Sequence, residues 1–280
     1  MKISRQPLSI VILTKNEEQN LPACLSSLTW CEDLQVLDSG SSDSTCEIAR
    51  SHGAKVSVNE FQSFGEQRNW ALDNLDFASE WILFLDADEI STDAFRDNVL
   101  DSTENAEDFT AGFFCCWKLM LEGVWLRRSD AFPRWQMRVA RKGRARFKSV
   151  GHGQMETEVQ GELSYVREPY LHLPFSKGWD HWLGKHERYA EQEAHERYRM
   201  PLRARDLFAS HSSVRNVALK KLVVRMPLWP LFRFFHAYAW RMGFLEGGPG
   251  FRYCRNIARY EAMIVRKLRK LKRRGSLVST

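Results

Sequence analysis

Short apolar runs and polar, helix-spaced stretches take turns along the first 90 residues. Leu8-Ser9-Ile10-Val11-Ile12-Leu13 is a run rich in β-branched side chains. Leu34-Gln35-Val36-Leu37, Lys55-Val56-Ser57-Val58 and Trp81-Ile82-Leu83-Phe84-Leu85 are three more. Between them, Asn16 to Leu28 puts Leu21, Leu25 and Leu28 on one helical face, with Asn16 as a candidate cap. Ser44 to His52 reads as a helix closed by Gly53, and Gly65 to Asn74 as a third. Apolar strands separated by helices predict a parallel sheet covered on both faces. In such sheets ligands gather at the carboxyl ends of the strands. The polar residues fall there: Thr14-Lys15-Asn16-Glu17-Glu18, Asp38-Ser39-Gly40-Ser41-Ser42-Asp43 and Asp86-Ala87-Asp88-Glu89.

From about Gly112 the rhythm changes. Gly112–Lys118, Trp135–Arg141 and Arg144–Lys148 read as strands, the last two joined by a Lys142-Gly143 turn, with further strands at Leu163–Val166 and Tyr170–Leu173. Trp179 to Arg199 reads as a helix stopped by Pro201, and 203–245 as helical pieces broken at Pro227 and Pro230. Gly247-Gly248-Pro249-Gly250 reads as a loop. Beyond it Tyr253, Ile257, Tyr260, Ile264, Leu268 and Leu271 recur at helical spacing.

Charge divides the chain in the same place. Residues 201–280 hold 18 Lys+Arg against 3 Asp+Glu, a net of +15, which leaves the first 200 residues at −9 within an overall +6. An acidic body with a basic tail predicts that the two meet different partners, the tail an anionic surface. Leu222 to Leu245 is long enough to span a bilayer, but Arg225, Arg233 and Arg241 lie inside it. Each would cost about 2.5–3.5 kcal/mol at the centre of a membrane. An interfacial segment is the better expectation, with Phe232, Phe234, Phe235 and Trp240 entering and the arginines at headgroup level. Arg266 to Arg274 would add attraction to anionic lipid. A helical packing tail with a solvated basic face is the plainer alternative. No nucleic-acid-binding motif accompanies the charge. The six cysteines form no CxxC pair and read as reduced thiols. No secretory signal is visible at the N-terminus.

Asp86 and Asp88, two positions apart after a buried strand, can reach one hard cation through oxygen and leave room for other ligands. Alone, that spacing is equally a strand-ending acidic turn. The neighbouring strand ends favour the first reading.

These segments together resemble the ordered motifs of the family 2 glycosyltransferases. They are Ser9 to Glu18, Val36 to Thr45, Gln67-Arg68-Asn69 and Leu85-Asp86-Ala87-Asp88, and the match is strong over roughly the first 90 residues. The resemblance implies an α/β, A-type glycosyltransferase fold with a Rossmann-like, mainly parallel nucleotide-binding sheet, and an inverting transfer. It implies a nucleotide-sugar donor of UDP type and a divalent cation, Mg²⁺ or Mn²⁺. Thr14, Asn16 and Glu17 would hold the base and ribose, and Asp38 would read the base. Arg68 would approach the diphosphate, Asp86 the ribose or metal, and Asp88 the metal. Asp43 is left out as a candidate cap of the second helix. The inverting reaction needs a general base on the acceptor hydroxyl. Val150 to Glu156 resembles the matching segment of lipopolysaccharide-core and exopolysaccharide transferases. Those often show His-Glu adjacent, where this chain has His152-Gly153, so Glu156 is the candidate base and Glu158 the reserve. Trp117, Trp125 and Trp135, with Arg127, Arg128 and Arg134, suit a sugar- and phosphate-binding acceptor loop or ordinary core packing. Lys185, His186 and Tyr189 share the subfamily likeness without an assigned role.

The expected organisation is a catalytic domain at 1–175, its donor half 1–110 and acceptor half 111–175, with a basic helical membrane-associating extension at 176–280. The expected acceptor is a lipid-linked saccharide at the cytoplasmic face of a bacterial inner membrane, reached peripherally, without a transmembrane helix and without nucleic acid. A metal-dependent nucleotidyltransferase and a non-catalytic nucleotide-sugar-binding protein are the rivals. Thr14 to Glu18 lacks the glycine-rich turn of the first, and the intact acidic pair opposes the second.

Overall fold

The four apolar runs pair as neighbouring parallel strands. In the computed structural model, which describes residues 8–150, 153–199, 204–208 and 211–278, β1 (Ser9–Thr14) is followed by α1 (Leu21–Ser26), β2 (Leu34–Asp38) and α2 (Thr45–Ser51). β3 (Lys55–Val58), α3 (Phe64–Asn74) and β4 (Trp81–Asp86) complete a β3-β2-β1-β4 order. Strand alternation explains the burial on both faces. Ile10, Ile12, Leu83 and Leu85 join one apolar core with Leu21 and Leu25 of α1. Val11, Leu13, Ile82 and Phe84 join another with Ala71 and Leu72 of α3. The register sets Thr14 opposite Asp38 and Leu13 opposite Asp86, so the polar strand ends share one edge.

Beyond β4 the sheet becomes mixed. β5 (Glu89–Ile90), α4 (Asp93–Glu104), β6 (Thr110–Leu121), β7 (Val124–Trp125), β8 (Trp135–Arg141), β9 (Arg146–Val150), β10 (Gly153–Thr157) and β11 (Glu162–His172) follow in the chain. The order continues β4-β8-β6-β11-β5, with β8 antiparallel to β4 and β6, and β11 parallel to β6. β9 and β10 form a separate antiparallel hairpin. The two strands predicted at 163–166 and 170–173 are a single strand, β11, whose register shifts between Val166 and Tyr170. Pro169 lies in that shift and has no N–H to offer the ladder.

Two local expectations are corrected. Asn16 does not cap a helix. It sits at φ 54°, and its side-chain oxygen accepts from Ser42 N at 2.8 Å, so α1 begins only at Leu21. The predicted loop at 247–250 is the first turn of a helix, where Pro249 needs no donor.

This α/β unit comprises the chain to Arg127 and Phe132–Lys177; a second compact unit contains Arg128–Ala131 and the chain from Gly178. The second unit is built on α5 (Gly178–Arg199), α6 (Ser212–Val223), α7 (Trp229–Phe235) and α8 (Gly247–Val278). Ala190 and Ala194 of α5 bury against Ile264 and Leu268 of α8, so the apolar stripe read in 253–271 has a helical partner. Arg197–Glu261 at 2.9 Å and Lys267–Glu191 at 2.7 Å flank that seam. His186 stacks on Trp182 at 3.6 Å, which gives it a packing role. Residues 128–131 are clipped within this unit. The Glu246 carboxylate accepts from Arg128 N and from the backbone and hydroxyl of Ser129, and Tyr253 Oη donates to Asp130 at 2.6 Å. Among the described residues no helix is long and apolar enough to cross a membrane.

Gly161 admits β11 alongside β6. It sits at φ 130°, and a Cβ there would lie 2.0 Å from Phe109 O. Gly161→Ala is expected to cost at least ~2 kcal/mol through backbone strain and that clash. The urea midpoint of the variant measures it; a wild-type midpoint would show that the backbone passes elsewhere.

Candidate active site

The acidic strand ends are held by a dense set of hydrogen bonds. Asp38, buried at the end of β2, accepts from Thr14 Oγ1 at 2.8 Å, Gly40 N at 2.9 Å, and Ser41 N and Oγ at 2.6 and 2.5 Å. Burial alone would raise its pKa, but these donors bring it below the ordinary value. Asp38 thereby shapes the turn that follows β2. Glu17 is paired with Lys177 at 2.7 Å and accepts from Asn20 at 2.7 Å. Asn16 fastens the first loop to the second through Ser41 and Ser42. Asp43 accepts from Thr45 N at 3.1 Å and from Glu18 N at 3.3 Å, but it stands one residue before Ser44, the N-cap of α2.

Asp86 lies between two arginines. Arg138, buried on β8, reaches Asp86 Oδ2 at 3.1 Å and Glu89 Oε1 at 2.5 Å through the same nitrogen. Its Nε donates to Tyr170 Oη at 3.1 Å. Arg68, 1% exposed on α3, stands 3.6 Å from Asp86 Oδ1 and donates to Gln154 of β10. Burial works to raise the Asp86 carboxyl, but Arg138 and then Arg68 hold it well below the usual carboxylate range. Glu89 is the opposite case, since burial pushes it upward and the adjacent Asp86 charge adds to that despite Arg138. Burial lowers Arg68 to about 10, which leaves it charged at neutral pH.

Asp88 faces another way. Its Oδ2 lies 3.5 Å from His172 Nε2, and the two side chains are 24% and 22% exposed. His172 ends β11 directly opposite Glu89, and Leu173 N donates to Asp88 O at 2.9 Å. Burial would lower the His172 pKa, but the Asp88 carboxylate raises it above its ordinary value. An oxygen and a nitrogen about 3 Å apart can occupy adjacent positions around one small divalent ion. Among the described residues no three His, Cys, Asp or Glu side chains form a metal cage. One carboxylate completed by phosphate and water fits the way Mg²⁺ is usually held, and the imidazole adds a nitrogen ligand of the kind that transition metals take.

The base candidates separate. Glu156 of β10 is half-buried, opposite Phe147 of β9 and two residues from Gln154, which touches Arg68. Glu158 is exposed in the following turn at φ 50°. His152 lies outside the described residues. A cleft of about 410 Å³ is lined by Cys116, Phe132, Pro133, Trp135, Tyr165 and Arg167. Trp135 meets Tyr165 edge-on at 4.9 Å and is 40% exposed. Trp117 packs inward beside Tyr170 and His172, and Trp125 against Phe132.

Sequence reasoning gave no role to Glu89, Arg138, Tyr170 or His172. Two signals were present. Arg138 is a charge between buried Met137 and Val139 in a strand, and His172 is a polar residue at a strand end.

The family model described as "Glycosyl transferase family 2" matches residues 9–149. The lipopolysaccharide core biosynthesis glycosyltransferase LpsC of Rhizobium meliloti (strain 1021) is 24% identical over 264 residues, 89% of each chain. An uncharacterized glycosyltransferase of Rickettsia bellii is 30% identical over 130 residues, 45% of this chain and 41% of that one. Among solved structures, glucosyl-3-phosphoglycerate synthase from Mycobacterium tuberculosis, in complex with Mn²⁺, uridine-diphosphate and glucosyl-3-phosphoglycerate, gives a TM-score of 0.44 at 17% identity, over 67% of this chain and 77% of that one. S. aureus TarS 1–349 gives 0.39 at 17% identity, over 96% and 91%.

Arg138→Met would leave buried Glu89 and half-buried Asp86 beside each other without their shared cation. The expected loss is about 3–5 kcal/mol in chemical denaturation. A loss under about 1 kcal/mol would show that the two carboxylates are solvated.

Proposed function

We propose, from the premise that the chain belongs to glycosyl transferase family 2 and is a glycosyltransferase, that it moves a sugar from a UDP-type nucleotide-sugar to a lipid-linked saccharide. Lipopolysaccharide core or exopolysaccharide synthesis is the proposed setting, with peripheral contact at the cytoplasmic face of a bacterial inner membrane. Membership in the family removes the nucleotidyltransferase alternative. The observation that carries the reading is the shared edge on which Asp38 ends β2 and Asp86 ends β4, with Asp88 in the following turn and Arg68 beside Asp86.

On this reading Thr14, Asn16 and Glu17 hold the base and ribose, and Asp38 fixes the loop against which the base rests. Asp86 acts from its place between Arg68 and Arg138, where it orients the ribose side and the acidic turn. Asp88 and His172 are the residues that would hold a divalent cation, which when bound offsets the charge gathering on the departing diphosphate. Asp86, whose oxygens lie 3.6 Å from Arg68 and 3.1 Å from Arg138, remains the further candidate ligand beside this pair. Arg68 brings its own positive charge to the diphosphate from a buried position.

The transfer inverts the anomeric carbon. Glu156 takes the proton of the acceptor hydroxyl, and that oxygen attacks the anomeric carbon from the face opposite the leaving group. The bond to the diphosphate oxygen breaks, and its electron pair leaves with the nucleotide diphosphate. The cleft at Trp135 and Tyr165 offers flat aromatic faces to an acceptor sugar, and Arg167 a cation for an acidic substituent.

Two outcomes test this reading. Asp88→Ala and His172→Ala are each expected to weaken Mn²⁺-dependent UDP binding at least tenfold in calorimetry while leaving metal-free binding as it was. Wild-type affinity in both would sink the metal pair. Glu156→Gln should keep donor affinity within about twofold and lose transfer by about 10²–10⁴-fold. Retained turnover would move the base to Glu158 or another group.

A further inference from the structure

Helix α7 presents two apolar faces, and only one is covered. Phe234 and Tyr238, four residues apart, stack at 5.4 Å and close on Phe251 of α8 at 6.0 and 5.6 Å. This corrects the expectation that Phe234 enters a membrane, because its ring packs within its own unit. Leu228, Leu231, Phe232 and Phe235 follow the i, i+3, i+4, i+7 spacing of a helical stripe, and each is 54% or more exposed. Trp240 is 83% exposed in the turn that follows, and Leu245 60%. A stripe of this kind ordinarily faces a core, and patches of this chemistry on a surface mark an interaction site.

The charge around the stripe points to what covers it. From Leu207 to Leu245 there are six Lys and Arg residues and no Asp or Glu. Arg225 donates to Arg197 O and Arg241 to Arg128 O. These bonds hold the segment in shape around the stripe. The stripe of α8 cannot supply such a surface, because Ile264 and Leu268 are buried on α5. Aromatic side chains beside cations, on a helix that does not span, are the composition of an interfacial membrane segment.

We propose that Leu228, Leu231, Phe232 and Phe235, with Trp240 and Leu245, form a docking surface for an anionic phospholipid bilayer. The proposal deepens the reading of a lipid-linked acceptor and rests on it for its biological sense, although the docking itself needs no acceptor. The stripe lies flat in the interface, the aromatic rings below the headgroups and the basic side chains among them. Acidic lipid headgroups are the chemistry that the cations select.

The experiment uses the full chain and vesicles free of saccharide lipid. Wild type should co-sediment with vesicles of phosphatidylcholine mixed with phosphatidylglycerol, and at least tenfold less with phosphatidylcholine alone. Phe232→Asn with Phe235→Asn, and separately Trp240→Ala, should each reduce binding to the mixed vesicles at least fivefold. All these residues are exposed, and unchanged UDP binding by the variants would verify the fold. Equal sedimentation of wild type and both variants overturns the proposal, as does a wild type that ignores anionic vesicles. A wild-type dimer that the double variant dissociates, without vesicle binding, would make the stripe an interface between copies and also overturn it. Wild type that docks but neither binds donors nor transfers sugar would sink the proposed reaction and leave the docking surface standing.

Discussion

A buried carboxylate and a half-buried one end up side by side where β4 gives way to its turn, and one guanidinium makes that arrangement tolerable. Asp86 and Glu89 both meet the same nitrogen of Arg138. Without it, like charges in a dry site would drive one of them to take a proton or force the turn open. Glu89 also accepts from Asp86 N at 2.8 Å, so the four-residue turn is closed at both ends. That closure decides where Asp88 points. The backbone of Asp88 is tied to Leu173, and its carboxylate comes to lie beside His172. The antiparallel insertion of β8 next to β4 brings Arg138 to this point.

The donor half was legible because its signals are local. A continuous apolar strand followed by polar residues says where the chain reaches an edge, and four such strands in order suffice for a shared edge. Asp38, Arg68 and Asp86 come together as that pattern implies. Arg138 and His172 could not be placed the same way. Their strands lie 52 and 86 residues past Asp86, and which strand neighbours β4 depends on long-range pairing that periodicity does not encode. A buried arginine in a strand is a signal only once its counter-charges are known. Asn16 failed for a different reason, since helix spacing was read through a residue whose side chain bonds a neighbouring loop and whose backbone turns left-handed.

The helical unit shows the limit of amphipathic spacing. The stripes of α7 and α8 look alike in sequence, each an apolar row among basic residues. One packs against Ala190 and Ala194, and the other faces outward. The small side chains of α5 decide it, because alanines allow a neighbouring helix to approach closely along its length. Among the described residues Leu231 and Phe235 stay exposed. Hydrophobic periodicity identifies a face that must be buried and leaves open whether protein or lipid buries it.

The acidic pair that first marks the site is an unequal pair. Asp86 and Asp88 have the same chemistry, stand two residues apart and are comparably exposed, at 30% and 24%, yet one carboxylate lies between two guanidinium groups and the other beside an imidazole. The difference arises from their neighbours. The rest of the edge is likewise held, Asp38 by Thr14 and its own turn and Glu17 by Asn20 and Lys177. A ligand meeting this edge finds most of its carboxylates held in place, so it pays little to order them. Asp88 keeps its carboxylate beside an imidazole instead of a guanidinium, and Asp86, paired with Arg138, holds the turn that carries it.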